Sequence, residues 1–326
     1  MSSKGDIQED FAVTISWASA IKEFLLVRET EGQKADTLAN AKSALNRFSE
    51  FCIGKGATLP AEVSKAMLRA YLRYLQGEHA ASYVNGNLSK IRSFYEFLCE
   101  ECDLPDYADP TLRVKFLKTG SKLLVVFNDD EVLQLINAAG KQRNKFHAER
   151  DKLILMMLAD CGLRVNELCC LREKDVTDKY VFIAFAKGSK QRMVYLTPAV
   201  ARQVLRYRRV RDAYFEAKGI PKNSQLFRNF RGEPIRNDGV QKLMKRLATR
   251  CTIRPEVRVS PHTMRHWFAM SQLQNGVSIF TLSKLLGHSS INTTQIYLQG
   301  LADEVIVNSA IETSPLLNIK NKQKRN

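Results

Sequence analysis

Between Ser260 and Tyr297 the chain carries two histidines, His262 and His288, with an arginine and a tyrosine whose types and spacing could transfer a phosphoryl group. Ser260-Pro261 reads as a helix start, because a serine hydroxyl can accept an otherwise unpaired amide and proline has no amide to lose. His262 and Arg265 then share one face of the first turn. Free amides and the positive helix end favour an anion there, and a guanidinium beside an imidazole suits a phosphate. A second helix is predicted from Ser278 through Phe280, Leu282 and Leu286, with Gly287 as its stop, which leaves His288 at a helix end. Tyr297 follows on a separate short segment before Gly300 and could move relative to the histidines. Together these residues suggest covalent phosphoryl transfer through the phenol.

Taken singly, each of them could be an ordinary packed or surface residue, so the chemical reading rests on the set. His262 and His266 are also spaced i, i+4, which could suit a metal. The intervening glutamate of a zincin and a third ligand are both missing, so no metal is expected.

Composition bounds what could position such a site. At 326 residues two domains are expected, and 44% hydrophobic residues support ordinary folded cores. No run approaches the length of a membrane span, and the start Met1-Ser2-Ser3-Lys4 lacks a secretory apolar region, so a cytosolic protein is expected. Seven cysteines, an odd number with Cys169 and Cys170 adjacent, read as reduced thiols. Cys99-x-x-Cys102 has no second pair and is a weak zinc signal.

The net charge of +16 is uneven: residues 1–120 hold 15 Lys and Arg against 16 Asp and Glu, and residues 121–326 hold 35 against 18. So strong a local excess points to a polyanion, with nucleic acid ahead of a membrane surface. An amphipathic stripe with aromatic anchors, which a membrane partner would favour, is missing.

Apolar spacing predicts helices from Trp17, through Leu38 to Phe48, from Ser64 to Gly77 and from Ser82 to Leu98, a small helical bundle. Its span 34–92 is rich in base, including Lys42, Arg47, Lys90 and Arg92, and could present a basic face. Residues 102–126, with Pro105, Pro110 and Gly120, then break the pattern and read as a linker. Helices follow from Asn128 or Asp129 and from about Phe146 to Cys161, where Gly162 supplies a left-handed stop and Arg164 leaves the core. Tyr180–Ala186 and Arg192–Leu196 read as a hairpin with Lys187 at its turn. Long helices are expected from Pro198, with the basic run Arg202 to Arg211, and over about 238–250. A last helix over 302–311 precedes the basic tail from Lys320.

Gly162-Leu163-Arg164 with Glu167, Lys187-Gly188-x-Lys190-x-Arg192, His262-x-x-Arg265-His266, Leu286-Gly287-His288 and Tyr297, in this order, resemble the tyrosine recombinases, the phage integrases and Xer-type resolvases. The resemblance covers about residues 122–300 by motif and, more loosely, the preceding bundle. It implies a mainly α fold with a small β-sheet. A helical, SAM-like core-binding DNA-binding domain would span 1–110, a linker 111–126, and an α+β catalytic domain 127–326 with a C-terminal protomer-contact helix.

Residue by residue, it implies that Arg164 and Arg265 bind the scissile phosphate, Lys187 is the hairpin lysine, His262 and His288 are active-site histidines, and Tyr297 is the nucleophile. Glu167 would support the site. Lys190, Arg192, Lys42, Arg47, Lys90 and Arg92 are the candidate DNA contacts. Trp267 departs from the small hydroxylated residue common after Arg-His.

Two arginines would neutralise the phosphate and stabilise the pentacoordinate state. A tyrosine of ordinary pKa is mostly protonated at neutral pH, so a nearby imidazole would help as base, and His262 is the candidate. Lys187 could protonate the leaving 5′-oxygen, while His288 positions the phosphate. The resemblance implies a 3′-phosphotyrosyl intermediate needing no cofactor, metal or ATP. It also implies double-stranded DNA with paired sites as partner, copies of the chain forming a tetramer on it, no membrane, and a cytoplasmic, nucleoid-associated setting. A type IB topoisomerase-like enzyme, a DNA-binding regulator and a metal-dependent nuclease are the alternatives.

Overall fold

The computed structural model describes residues 15–102, 104–120, 124–183, 191–288 and 290–298. The chain divides between residues 121 and 122 into two compact units.

The first unit is a helical bundle. Helix α1 (Trp17–Thr30) starts where Ser16 Oγ accepts from the Ser19 amide at 3.2 Å. Helix α2 (Ala35–Ile53) buries Ala41, Leu45, Phe48 and Cys52, a stripe at the spacing of one helical face. Helix α3 (Lys65–Glu78) is capped by Ser64 as its sequence requires. Helix α4 (Ala81–Glu101) begins one residue before Ser82 and without a side-chain cap.

Aromatic rings fill the centre of this bundle: Trp17 meets Phe48 edge-on at 5.7 Å, and the Tyr95 hydroxyl donates to the Pro60 carbonyl at 2.9 Å. Residues 104–117 lie on the same bundle. Leu104 and Val114 are buried in its core, and Asn85 exchanges two hydrogen bonds with the Leu117 backbone. Burying such a side chain contributes roughly 1.5–3 kcal/mol, which together with those bonds holds down a stretch whose prolines suggested a linker.

The second unit is built around α6 (Lys145–Cys161), which buries Leu153, Ile154, Leu155, Met157, Leu158 and Cys161. A helix apolar on so many sides must be covered on several. It packs against α5 (Asp129–Gly140), α8 (Pro198–Glu216) and α10 (Pro261–Gln274). Asn128 and Glu131 form a capping box at the start of α5. Short α7 (Val165–Cys169) follows α6.

Strands β1 (Tyr180–Ile183) and β2 (Arg192–Tyr195) pair antiparallel in the register Tyr180 to Tyr195 and Ile183 to Arg192. Val181, Ile183 and Val194 face inward, whereas Tyr180, Phe182, Met193 and Tyr195 face out, the alternation of a sheet covered on one side. The basic run of α8 divides likewise. Arg208 and Arg211 turn in to Glu173, and Arg202, Arg206 and Arg209 face solvent. Helix α9 (Asn237–Ala248) completes the main core.

A smaller apolar cluster joins Phe268, Ala269, Met270 and Leu273 of α10, Leu282 and Leu286 of α11 (Ile279–Leu286), and Tyr297, just beyond α12 (Asn292–Gln295).

Candidate active site

Local sequence fixes where each functional side chain leaves its element. Helix α6 ends at Gly162, whose φ of 57° lies in the left-handed region; a Cβ there would come within 2.4 Å of the Phe268 ring. The turn places Arg164 at the N-cap of α7. Glu167, three residues on, accepts from the Arg164 amide at 2.8 Å and from its Nη1 at 3.0 Å. Arg192, the first residue of β2, sets Nη1 and Nη2 at 2.7 Å from the two Glu167 oxygens.

Burial opposes the charge on Glu167, but Arg192 and then Arg164 outweigh it and hold the carboxyl below the usual range. Removing one partner of a buried pair of this kind costs about 3–5 kcal/mol. Glu167 is thus bonded to both Arg164 and Arg192.

Arg265 enters from the first turns of α10, where Ser260 caps and Pro261 takes the first helical position, as their sequence implies. It is only 3% exposed. Its Nη1 donates to the Gly162 carbonyl and its Nη2 to the Leu286 carbonyl at 2.7 Å, the latter nitrogen also lying 3.2 Å from His288 Nε2. Burial, then the charge of Arg164, pull its pKa down to about 10, so it stays cationic at neutral pH. Both helix ends adjoining the site, Gly162 and the left-handed Gly287, thus place backbone carbonyls on the two arginines: Gly287 accepts from Arg164 Nη2 at 3.3 Å.

Arg265 can only donate, so His288 Nε2 must accept, and His288 is neutral with its proton on Nδ1. That nitrogen then donates to Thr294 Oγ1 at 2.8 Å. Burial, Arg265 and Arg164 lower the His288 pKa to about 4, in keeping with the neutral form. Thr294 is fully buried and lies on α12, so one hydroxyl joins His288 to the turn that bears Tyr297.

The Tyr297 phenol is buried, and its hydroxyl lies 3.0 Å from Nδ1 of His266. His266, not His262, is therefore the imidazole bonded to it. His262 is exposed at the start of α10, its ring 4.1 Å from that of His266 and edge-on. The i, i+4 spacing explains both positions: one helix face carries the two rings, and the deeper one meets the phenol. Burial lowers the pKa of His266 to about 4, with His262 and Arg265 adding to the effect. Partial shielding of its ring from solvent, helped by Arg265, also lowers that of His262. Burial raises the phenol above its ordinary value, against the pull of Arg265 and Arg164.

Arg164, Glu167, Arg265, His288 and Tyr297 thus come together, with His262 at the exposed edge. Lys187 and Lys190 lie outside the described residues. Arg192, expected on DNA, has its guanidinium on Glu167 instead. In the first unit Lys42 and Arg47 are exposed on α2 and Lys90 is half-buried on α4, whereas Arg92 donates to the Val114 carbonyl at 2.6 Å and lies over the Phe116 ring. Sequence reasoning missed His266 as the phenol's partner and Thr294 as that of His288. The spacing of His266 from His262 was a legible signal; that of Thr294 was not. Trp267, the departure from the family pattern, donates from Nε1 to Asp129 at 3.0 Å and so ties α10 to α5. Among the described residues no group of three His, Cys, Asp or Glu could hold a metal.

Two guanidinium groups and neutral imidazoles gathered around a buried phenol make a centre suited to phosphoryl transfer through tyrosine. Residues 126–304 match the model of the phage integrase family. The chain is 30% identical over 305 residues to the tyrosine recombinase XerC of Halalkalibacterium halodurans, covering 92% of this chain and 96% of that protein. It is 30% identical over 283 residues to XerD of Staphylococcus aureus, covering 85% and 92%. Among solved structures it resembles the XerH site-specific recombinase bound to a palindromic difH substrate, with TM-score 0.69, 19% identity and coverage of 93% and 96%. A lambda integrase dimer bound to a COC′ core site gives TM-score 0.65, 16% identity and coverage of 92% and 82%. The chain belongs to the phage integrase family of tyrosine recombinases. Its activity is site-specific DNA recombination by the tyrosine mechanism.

Proposed function

We propose that Tyr297 is the nucleophile of this recombinase. Its oxygen attacks the scissile phosphorus, the bond from phosphorus to the 5′-oxygen breaks, and the DNA is left joined through a 3′-phosphotyrosine. The 5′-hydroxyl of a partner strand reverses the step, so the bond energy is kept and no ATP is consumed. Arg164 and Arg265 hold the nonbridging oxygens, where their charge offsets that of the pentacoordinate state.

The observation that carries this reading is the placement of the Tyr297 hydroxyl on His266, in a site with both arginines. Because His266 touches the phenol, we assign the phenol's proton to its Nδ1 and give exposed His262 a phosphate contact. An imidazole with a pKa of about 4 is a weak base. Burial is the main cause of that depression and the charge of Arg265 adds to it; a phosphate held by Arg265 would offset the second contribution. Lys187 protonates the leaving 5′-oxygen, and His288, locked by Thr294 and Arg265, keeps the second arginine in place.

The partner is double-stranded DNA bearing paired sites, on which four copies assemble; the charge excess of residues 121–326 supports it. The setting is the cytoplasm, at the nucleoid. A nicked suicide duplex, from which the cut 5′ fragment diffuses away, tests the nucleophile. The parent should leave a denaturant-resistant protein–DNA adduct, and Tyr297→Phe should bind the duplex without forming one. An adduct formed by the phenylalanine variant would exclude Tyr297.

A further inference from the structure

Arg192 has the sequence signature of a DNA contact but the surroundings of an internal support. Its side chain is 7% exposed, its two terminal nitrogens match the two oxygens of Glu167, and its buried Nε has no acceptor among the described residues. Gly287 lies directly against it: a Cβ at that glycine would sit 2.9 Å from Arg192 Nη1 and 3.0 Å from Cδ. The carbonyl of the same glycine accepts from Arg164. Strand β2, helix α7 and the end of α11 therefore meet at one guanidinium.

We propose that Arg192 is a positioning residue that acts through Glu167 to aim Arg164 at the scissile phosphate. The last torsion of a glutamate is broad, and a planar fork bonded to both oxygens fixes the carboxylate plane as a lysine could not. By taking the fork-shaped approach to Glu167, Arg192 leaves Arg164 a single side-chain contact, Nη1 on Oε1. The side chain of Arg164 remains 30% exposed, and beyond its bonds to Glu167 and the Gly287 carbonyl its other N–H groups have no acceptor among the described residues. Without Arg192 the carboxylate would draw Arg164 into a paired, bidentate contact and compete with the DNA for it.

This rests on the assignment of Arg164 to the phosphate, and the test separates the two. Single-turnover cleavage is measured on duplexes whose scissile phosphate is ordinary or is either diastereomer of a methylphosphonate. The methyl group removes the negative charge, so a residue that serves to neutralise that charge becomes less necessary. Arg192→Gln should slow cleavage of the ordinary duplex on the order of 10–100-fold, the scale lost when an orienting partner is removed, with duplex binding unchanged. Its defect should shrink on the diastereomer that relieves Arg164→Ala, and the double variant should be no slower than Arg164→Ala alone. Arg192→Lys, which keeps the charge and loses the fork, should share the defect, and carries the comparison if the glutamine variant does not fold.

An Arg192 defect of equal size on charged and neutral duplexes, while Arg164→Ala is relieved, overturns the proposal. So do single defects that multiply in the double variant. If neither diastereomer relieves Arg164→Ala, the phosphate assignment of Arg164 fails by itself, and the double variant still decides whether Arg192 acts through it.

Discussion

His266 couples acid stability to the tyrosine site, and the size of the effect follows from its surroundings. Burial, then His262 and Arg265, bring its pKa from an ordinary value near 6.5 to about 4. The unfolded chain therefore binds a proton more readily than the folded one, so the stabilisation is complete above pH 6.5 and is lost as the pH falls toward 4. The whole shift corresponds to about 3 kcal/mol, and roughly 2 kcal/mol of it should be gone at pH 5.

Trp267 is the neighbouring residue and Trp17 the chain's one other tryptophan. Urea unfolding followed by fluorescence in a Trp17→Phe background therefore reports on the second unit. Between pH 7 and pH 5 the parent should lose about 2 kcal/mol more than His266→Gln, which has no imidazole to titrate. The difference between the two proteins cancels the carboxylates and His288, which titrate in both. Equal losses in parent and variant would refute the account of how His266 is held.

Lys187→Ala should slow cleavage by roughly 10²–10⁴-fold if the lysine is the acid; with sulfur at the bridging 5′ position, whose thiolate leaves without a proton, the variant should cleave nearly as fast as the parent. Equal impairment on both substrates would make Lys190 the next candidate. Gly162→Ala forces a side chain into a left-handed position and into the Phe268 ring, and should cost roughly 1–3 kcal/mol in a urea titration. An unchanged midpoint would contradict the turn that sets Arg164. Truncation after Gly300 removes the apolar set Leu301, Val305, Ile306 and Ile311, which lies outside the described residues. It should spare single-site binding and weaken cooperative filling of paired sites in a gel-shift titration.

Helix ends were the most legible part of this chain, because a cap is a local event. Ser64, Ser260 and Ser278 cap where their sequence says, and Gly162 and Gly287 stop helices with positive φ. Those ends also locate Arg164, Arg265 and His288, so the motif residues could be placed before any contact was known. The stretch after Pro105 was harder to read. Proline and glycine mark a break in helix, but whether the broken segment packs depends on distant partners such as Asn85 and Arg92.

Sequence by itself determined the residue types of the site, their order and the elements that carry them, since these follow from short-range spacing and capping. Tertiary structure alone decided which group faces which. Arg192 and Glu167 are 25 residues apart, and His266 and Tyr297 are 31 apart. A basic residue at the start of a hairpin's second strand is equally compatible with DNA or with a buried carboxylate, and a helical face bearing two histidines gives either one to a phenol. Packing settles both cases, because it desolvates one charge until it must be paired and brings a single ring within hydrogen-bonding distance.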